Sequence, residues 1–254
     1  MQLGRDVLDV LGRAEVLGDR VVLQGSLDRK LYTRTNDVLE ALGGTWSRKA
    51  RAHLFSPDID VATLIDLAIT TGVITTSKDL GFFPTPPPVA ERLVDELRVE
   101  PGDLVLEPSA GDGALVRPLL AAGAVVVAVE RDAKRRQQLI DLAAVEPRLT
   151  VSGADDFMCV ELAQPVACVA LNPPFLKSGL GDHLDHVRHA YSMLRPGGRL
   201  GAIMPSSIEF RSDRRHREFR QWAEERGTIE SLPDGSFKAS GTGVRTCLVM
   251  LVGE

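Results

Sequence analysis

From residue 85 to the C-terminus, short apolar runs alternate with amphipathic stretches. Asp103–Glu107, Val125–Glu130, Leu149–Ser152, Val166–Leu171, Leu200–Met204 and Thr246–Val252 are dominated by Val, Leu, Ile, Ala and Cys, the pattern of strands buried on both faces. Between them, Pro86–Leu97, Leu115–Ala122, Ala133–Ala144 and His183–Leu194 have helical character, the last ended by Pro196-Gly197-Gly198. This alternation predicts an α/β fold built on a doubly wound, mostly parallel sheet.

The first 75 residues follow a different pattern. Thr35-Asn36-Asp37 offers caps for a helix through Leu42, which Gly43-Gly44 ends. Thr45–Phe55 alternates as one half-buried strand, with Trp46 read as a core residue in preference to a stacking platform, and Ser56-Pro57-Asp58 opens a helix through Ala68. The expected organisation is a small α/β domain over 1–75, a linker over 76–84 around Thr76-Ser77-Lys78, and a larger domain over 85–254. Apolar residues are too few in the small domain for a large core, so it is expected to dock on the rest.

Composition narrows the class. Of 254 residues, 44% are hydrophobic and 26% charged, which is ordinary for a globular protein. The longest apolar run, Leu119–Val129, is too short to span a bilayer, and Met1–Asp6 carries charges where a signal peptide would be apolar. Cys159, Cys168 and Cys247 are odd in number and widely spaced, and read as reduced, buried thiols of a cytoplasmic protein. With a formal charge of −5, any contact with nucleic acid must come from local basic patches. Two exist: Arg211, Arg214, Arg215, Arg217 and Arg220 within 211–220, and Arg29, Lys30, Arg34, Arg48, Lys49 and Arg51 within 28–55. The first follows a strand end, where parallel sheets bind ligands, so Arg211, Arg214, Arg215 and Arg217 are candidate substrate contacts. His183, His186 and His189 fall at i, i+3 and i+6 of one helix. The outer two then lie roughly 120° apart, so one ion is not held by all three, and no metal is expected.

Four strand ends carry candidate chemistry. Leu104–Leu106 runs into Glu107-Pro108-Ser109-Ala110-Gly111-Asp112-Gly113, a glycine turn that lets a ligand approach the backbone. Its two carboxylates would repel a pyrophosphate and suit a cationic ligand. The next strand ends in Glu130-Arg131, where the acid is placed for vicinal ribose hydroxyls. The third leads to Asp155-Asp156-Phe157, a carboxylate for an adenine amino group beside an aromatic ring. The fourth delivers Asn172-Pro173-Pro174-Phe175. An exocyclic amino group is a poor nucleophile because its lone pair is delocalised, and acceptors around its N–H bonds localise that pair toward an electrophile. The Asn172 side-chain carbonyl and the Pro173 carbonyl are two such acceptors. Pro173 and Pro174 stiffen the turn, and Phe175 offers a stacking face.

As a set these motifs resemble the S-adenosylmethionine-dependent DNA adenine-specific amino-methyltransferases of phage and bacterial type, over roughly residues 82–252. Phe82-Phe83-Pro84-Thr85-Pro86 resembles the family's segment that lines the cofactor's methionine end and opens a helix; Thr85 suits an N-cap and Pro86 the first helical position. Leu232-Pro233-Asp234-Gly235-Ser236-Phe237 resembles the penultimate motif, in which an aromatic stacks on the extruded base, a role that falls to Phe237. The resemblance implies a Rossmann-like domain that transfers a methyl group from S-adenosyl-L-methionine to adenine in DNA by base flipping, as in restriction-modification. Phe83, Thr85, Glu107, Ser109, Ala110, Gly111, Gly113, Glu130, Arg131, Asp155, Asp156, Phe157 and Asn172 would line the cofactor, and Asn172, Pro173, Pro174 and Phe175 would carry the transfer. Related loops act on RNA bases and protein glutamines, and a non-catalytic accessory subunit would keep the same fold. The family usually appends a large recognition domain after the last motif, which here gives way to Glu254; a specificity subunit or a second copy of the chain is the implied partner.

Overall fold

The computed structural model describes residues 3–56, 61–72, 84–154, 156–174, 182–238 and 245–254. The N-terminal unit comprises α1 (Arg5–Arg13), β1 (Glu15–Leu17), β2 (Arg20–Val22), α2 (Arg29–Ala41), β3 (Thr45–Ser47), β4 (Ala52–Leu54) and α3 (Val61–Thr71). Its four strands form an antiparallel sheet in the order β1-β2-β4-β3. Leu11, Val21, Leu39, Phe55, Ile65 and Ile69 meet in a core of its own.

Two local expectations fail here. α2 starts at least seven residues early because Asp28, not the 35–37 triplet, caps it, accepting from the backbone of Lys30 and Leu31 at 2.9 and 3.0 Å. Residues 45–55 form a hairpin rather than one strand, reversing through Arg48–Arg51 with Arg51 at φ +51°. Trp46 therefore lies on an edge strand, 42% exposed, with its ring against Tyr32 and His53 rather than in the core.

The larger unit holds α4 (Pro87–Leu97), β5 (Leu104–Glu107), α5 (Val116–Ala121), β6 (Val125–Ala128), α6 (Ala133–Ala143), β7 (Leu149–Val151), β8 (Val166–Leu171), α7 (His183–Tyr191), β9 (Leu194–Pro205), α8 (Arg214–Glu224), β10 (Gly227–Ser231) and β11 (Thr246–Val252). The sheet order is β10-β11-β9-β8-β5-β6-β7. Strands β5 to β9 pair in parallel, β11 runs antiparallel to β9, and β10 is the antiparallel edge. Every residue of β8 is buried. Alternate residues serve two cores: Val105, Cys168, Ala170 and Ile203 pack with α4 and α5, while Leu106, Val169, Leu171 and Met204 pack with α7 and α8.

The helix expected to reach Leu194 stops at Tyr191. Pro196-Gly197-Gly198 does not end a helix; it lies within β9, where Gly197 adopts φ +72° and the register against β8 slips. The N-terminal unit sits on the larger one. Arg245 donates its backbone N–H to the Thr70 carbonyl at 2.8 Å and Ser212 to that of Gly12 at 3.2 Å. The Phe210 ring lies so near Gly12 that a Cβ there would come within 2.7 Å of it.

Candidate functional site

Residues Glu107, Glu130, Asp156 and Asn172 follow the C-terminal ends of β5, β6, β7 and β8, four adjacent parallel strands. Between β5 and β8 the strand order reverses direction, the place where open α/β sheets form a ligand crevice.

The turn after β5 is held by backbone. Ala110 N donates to the Val129 carbonyl at 2.9 Å and Gly113 N to that of Ala110 at 2.8 Å, with Gly111 and Gly113 at φ +55° and +84°. Both values lie where side chains other than glycine are strained. Glu107 is 1% exposed. Its Oε1 accepts from Ser109 N at 3.2 Å, while Oε2 has no hydrogen-bond partner among the described residues. Burial, reinforced by the nearby Glu130 and Asp112 carboxylates, pushes its pKa well above the usual range. Ser109 Oγ is likewise buried without a partner among the described residues. A buried carboxylate oxygen left open beside two further acids is a cradle for a positively charged group.

Glu130 is engaged more than expected. It accepts from Gly111 N and Asp132 N at 2.7 Å each and pairs with Arg135 at 3.1 Å, so it braces the glycine turn. Arg131 is exposed beside it. Asp156 accepts from Met158 N at 2.9 Å and caps a short turn over Phe157–Cys159. Phe157 is a core ring packed on His186 and His189, not an exposed face.

Thr85 departs from its expected role by one position. Pro86 occupies the N-cap of α4 and Pro87 the first turn, while Thr85 Oγ1 accepts from Asn172 Nδ2 at 3.0 Å. Pro173 is buried and Pro174 partly so. Phe83, Asp155 and Phe175 lie outside the described residues.

Two expected substrate contacts are buried. Phe237 has no exposed surface and packs with Leu93, Leu232 and Leu248, so the ring is not available for stacking on a base. Arg211 is 1% exposed and pairs with Asp66 of α3 and with Asp213 at 2.7 Å, which makes it a bolt between the two units rather than a phosphate contact. Arg215 pairs with Asp182 and Asp185, and Arg214 with Glu218. Arg214 and the exposed Arg217 share a polar cleft of about 310 Å³ with Arg13, Glu15, Gln24, Ser212 and Asp213. The helix that carries the three spaced histidines buries His183 and His186. Cys168 and Cys247 are buried, but Cys159 is exposed. No described helix is long and apolar enough to cross a membrane.

No family model matches the chain. The M protein of the type I restriction enzyme EcoKI superposes with a TM-score of 0.56 at 16% identity, covering 99% of this chain and 58% of that one. A class I S-adenosylmethionine-dependent methyltransferase from Listeria monocytogenes gives 0.53 at 17% identity, covering 66% of this chain and 60% of that one. The fold is the class I methyltransferase fold. Among curated proteins, the ribosomal RNA small subunit methyltransferase A of Sphingopyxis alaskensis is 43% identical over 76 residues, 28% of each chain. The chain spans less than half the length of the curated relatives it matches.

Proposed function

We propose that the protein transfers a methyl group from S-adenosyl-L-methionine to the exocyclic amino group of adenine in DNA. The observation that carries this reading is the Asn172-Pro173-Pro174 loop at the end of β8, braced by Thr85 and one strand away from the open carboxylate of Glu107.

The residues present fit the cofactor. Glu107 Oε2, buried and without a partner among the described residues, suits a cationic group, and a sulfonium or α-ammonium beside it would draw the carboxyl into its charged form despite the neighbouring Asp112 and Glu130. When bound, S-adenosylmethionine supplies an electrophilic methyl group. Asn172 and the Pro173 carbonyl accept from the amino N–H bonds and so localise the nitrogen lone pair along the line of attack. The amino proton leaves after transfer from a cationic product, so no general base is needed beforehand. The adenine must be extruded or single-stranded to reach the loop.

Exposed cations not used in the buried pairs would hold the phosphates. Arg48, Lys49 and Arg51 lie around the β3–β4 turn beside exposed Trp46, and Arg13, Arg214 and Arg217 line the cleft against α8. The full-length likeness to the EcoKI M protein favours DNA and a separate specificity subunit as partner. A second reading, methylation of an RNA base, is favoured by 34–43% identity over 76–127 residues to four ribosomal RNA methyltransferases. Tritium transfer from labelled cofactor to DNA, RNA and protein in parallel separates them. Label in DNA adenine is the expected result, label in RNA alone selects the second reading, and cofactor binding without any transfer would leave an accessory subunit.

A further inference from the structure

The interface between the N-terminal unit and the sheet unit buries a set of donor atoms that the methyl-transfer chemistry does not use. Asp66 comes from α3, His183 from the first turn of α7 and His216 from the first turn of α8, and they are 3%, 2% and 5% exposed. One ligand atom from each, a carboxylate oxygen and two imidazole nitrogens, lies within 4.8 Å of the others. His216 Nδ1 is 3.0 Å from the Asp213 carboxylate, and its Nε2, the atom that a metal ion would take in place of a proton, faces Asp66 Oδ2 at 3.3 Å. Neither His183 ring nitrogen nor His216 Nε2 has a hydrogen-bond partner among the described residues. A carboxylate oxygen and an imidazole nitrogen thus face each other in a buried space, with a second imidazole, His183, alongside, its ring centroid 6.1 Å from that of His216.

Each feature suits a metal ion. A carboxylate bonded to the remote nitrogen of a histidine is the usual outer partner of a metal-ligating imidazole. A tetrahedral ion with bonds of about 2.0–2.1 Å spaces neighbouring ligand atoms by roughly 3.3 Å, the separation of His216 Nε2 and Asp66 Oδ2. Local charge agrees. Arg211 balances one of Asp66 and Asp213, and Arg215 one of Asp182 and Asp185, so with neutral imidazoles two negative charges remain uncompensated. We propose that Asp66, His183 and His216 bind a divalent transition-metal ion of the zinc type, with water completing its shell, and that the ion staples the N-terminal unit to α7 and α8. Two imidazoles and one carboxylate select zinc, cobalt or nickel over magnesium and calcium, which take oxygen donors.

The test uses the full chain, stripped with a chelator and titrated with Co²⁺, then Zn²⁺, with Mg²⁺ as control. The expected result is one Co²⁺ per chain with visible d–d bands of a four- or five-coordinate site, displaced by Zn²⁺ and indifferent to Mg²⁺. H183A and H216A should each abolish the bands, and Zn²⁺ should raise the Tm of the wild type only. D213N, which removes the negative charge behind Nδ1, should keep the one-to-one stoichiometry and weaken binding by roughly 10- to 100-fold. If either alanine variant fails to fold, ring-nitrogen NMR of the wild type decides: Zn²⁺ should shift His183 and His216 and leave His53 unmoved. A wild type insensitive to Zn²⁺ would overturn the proposal in favour of a protonated His216 bridging the two aspartates. Equal binding by wild type and folded variants, or shifts at His53 alone, would overturn it in favour of adventitious ligation elsewhere in the chain.

Discussion

Replacing Glu107 by Gln should move stability and cofactor affinity in opposite directions. Glu107 is 1% exposed, one of its oxygens has a single backbone donor, and the other has none among the described residues. Burial, then the Glu130 and Asp112 charges, raise its pKa well above the ordinary 4.5. A carboxyl whose folded-state pKa lies above its unfolded value contributes stability that is complete below the unfolded value and is lost as pH rises through the folded one. Gln has the same shape and no charge, so the variant should escape that loss. Thermal unfolding curves of the two proteins without cofactor should run together near pH 4.5 and separate as pH rises. At pH 8 the variant should be the more stable by about 1–3 kcal/mol, the penalty for a buried polar group left unpaired, or roughly 2–12 °C in Tm for a chain of this size. Binding should respond the other way. Losing a charge-assisted contact to a cationic ligand costs about 1.5–3 kcal/mol, so S-adenosylmethionine should bind the variant roughly 10- to 150-fold more weakly by titration calorimetry. In the wild type, binding should release a proton, seen as a heat that depends on the buffer's ionisation enthalpy. Parallel pH profiles for the two proteins, or an unchanged Kd, would refute the assignment of Glu107 to the cationic end of the cofactor.

The other predictions divide chemistry from scaffold. N172A should bind cofactor as the wild type does and transfer methyl groups roughly 100- to 1000-fold more slowly in single-turnover assays, because an acceptor used in the transition state is gone. T85V removes the 3.0 Å bond to Asn172 and should slow transfer about tenfold, with T85S restoring it. R211A leaves Asp66 and Asp213 buried without their guanidinium and should cost about 3–5 kcal/mol in denaturant unfolding while leaving the salt dependence of DNA binding unchanged in protein that remains folded. Replacing exposed Arg48 and Lys49 by Ser should leave Tm unchanged and flatten the slope of log affinity against log salt by about 2, measured by filter binding.

The sheet was legible because its strands are apolar throughout. β8 is six residues without a polar atom in any side chain except the Cys168 thiol, and burial on both faces is what such a run requires. The missed elements are those whose local signal was overwritten. α8 buries only His216, Phe219 and Ala223, a narrow stripe inside a run of arginines, so its charge was more visible than its period. β10 is an exposed edge strand with one apolar side chain, Ile229. In the N-terminal unit, Asp28 and the 35–37 triplet are chemically equivalent caps. Only the tertiary environment, which turns Thr35 inward and bonds Asn36 to His53, selects between them.

The candidate site was legible to a similar depth and failed for a related reason. Residue type and position at a strand end locate Glu107, Glu130 and Asn172, because parallel topology itself brings strand ends to one crevice. Partners are not written in that pattern. Glu130 could be read as an acid beside a ribose, but its bonds to Gly111 and Asp132 show that the same carboxylate shapes the turn it serves. Arg211 shows the larger error. A run of five arginines reads as a surface for phosphate when charge is counted along the chain, yet Arg211 points inward to Asp66, 145 residues away, and neighbouring Arg215 is held by Asp182 and Asp185. A buried guanidinium paired with two aspartates contributes geometry more than net stability, since desolvation offsets much of the attraction. That geometry fixes α3 against the N-cap of α8. The arginine run therefore divides: Arg211 and Arg215 serve the scaffold, and the proposed contact with phosphate falls to Arg214 and Arg217, which stand exposed at the cleft.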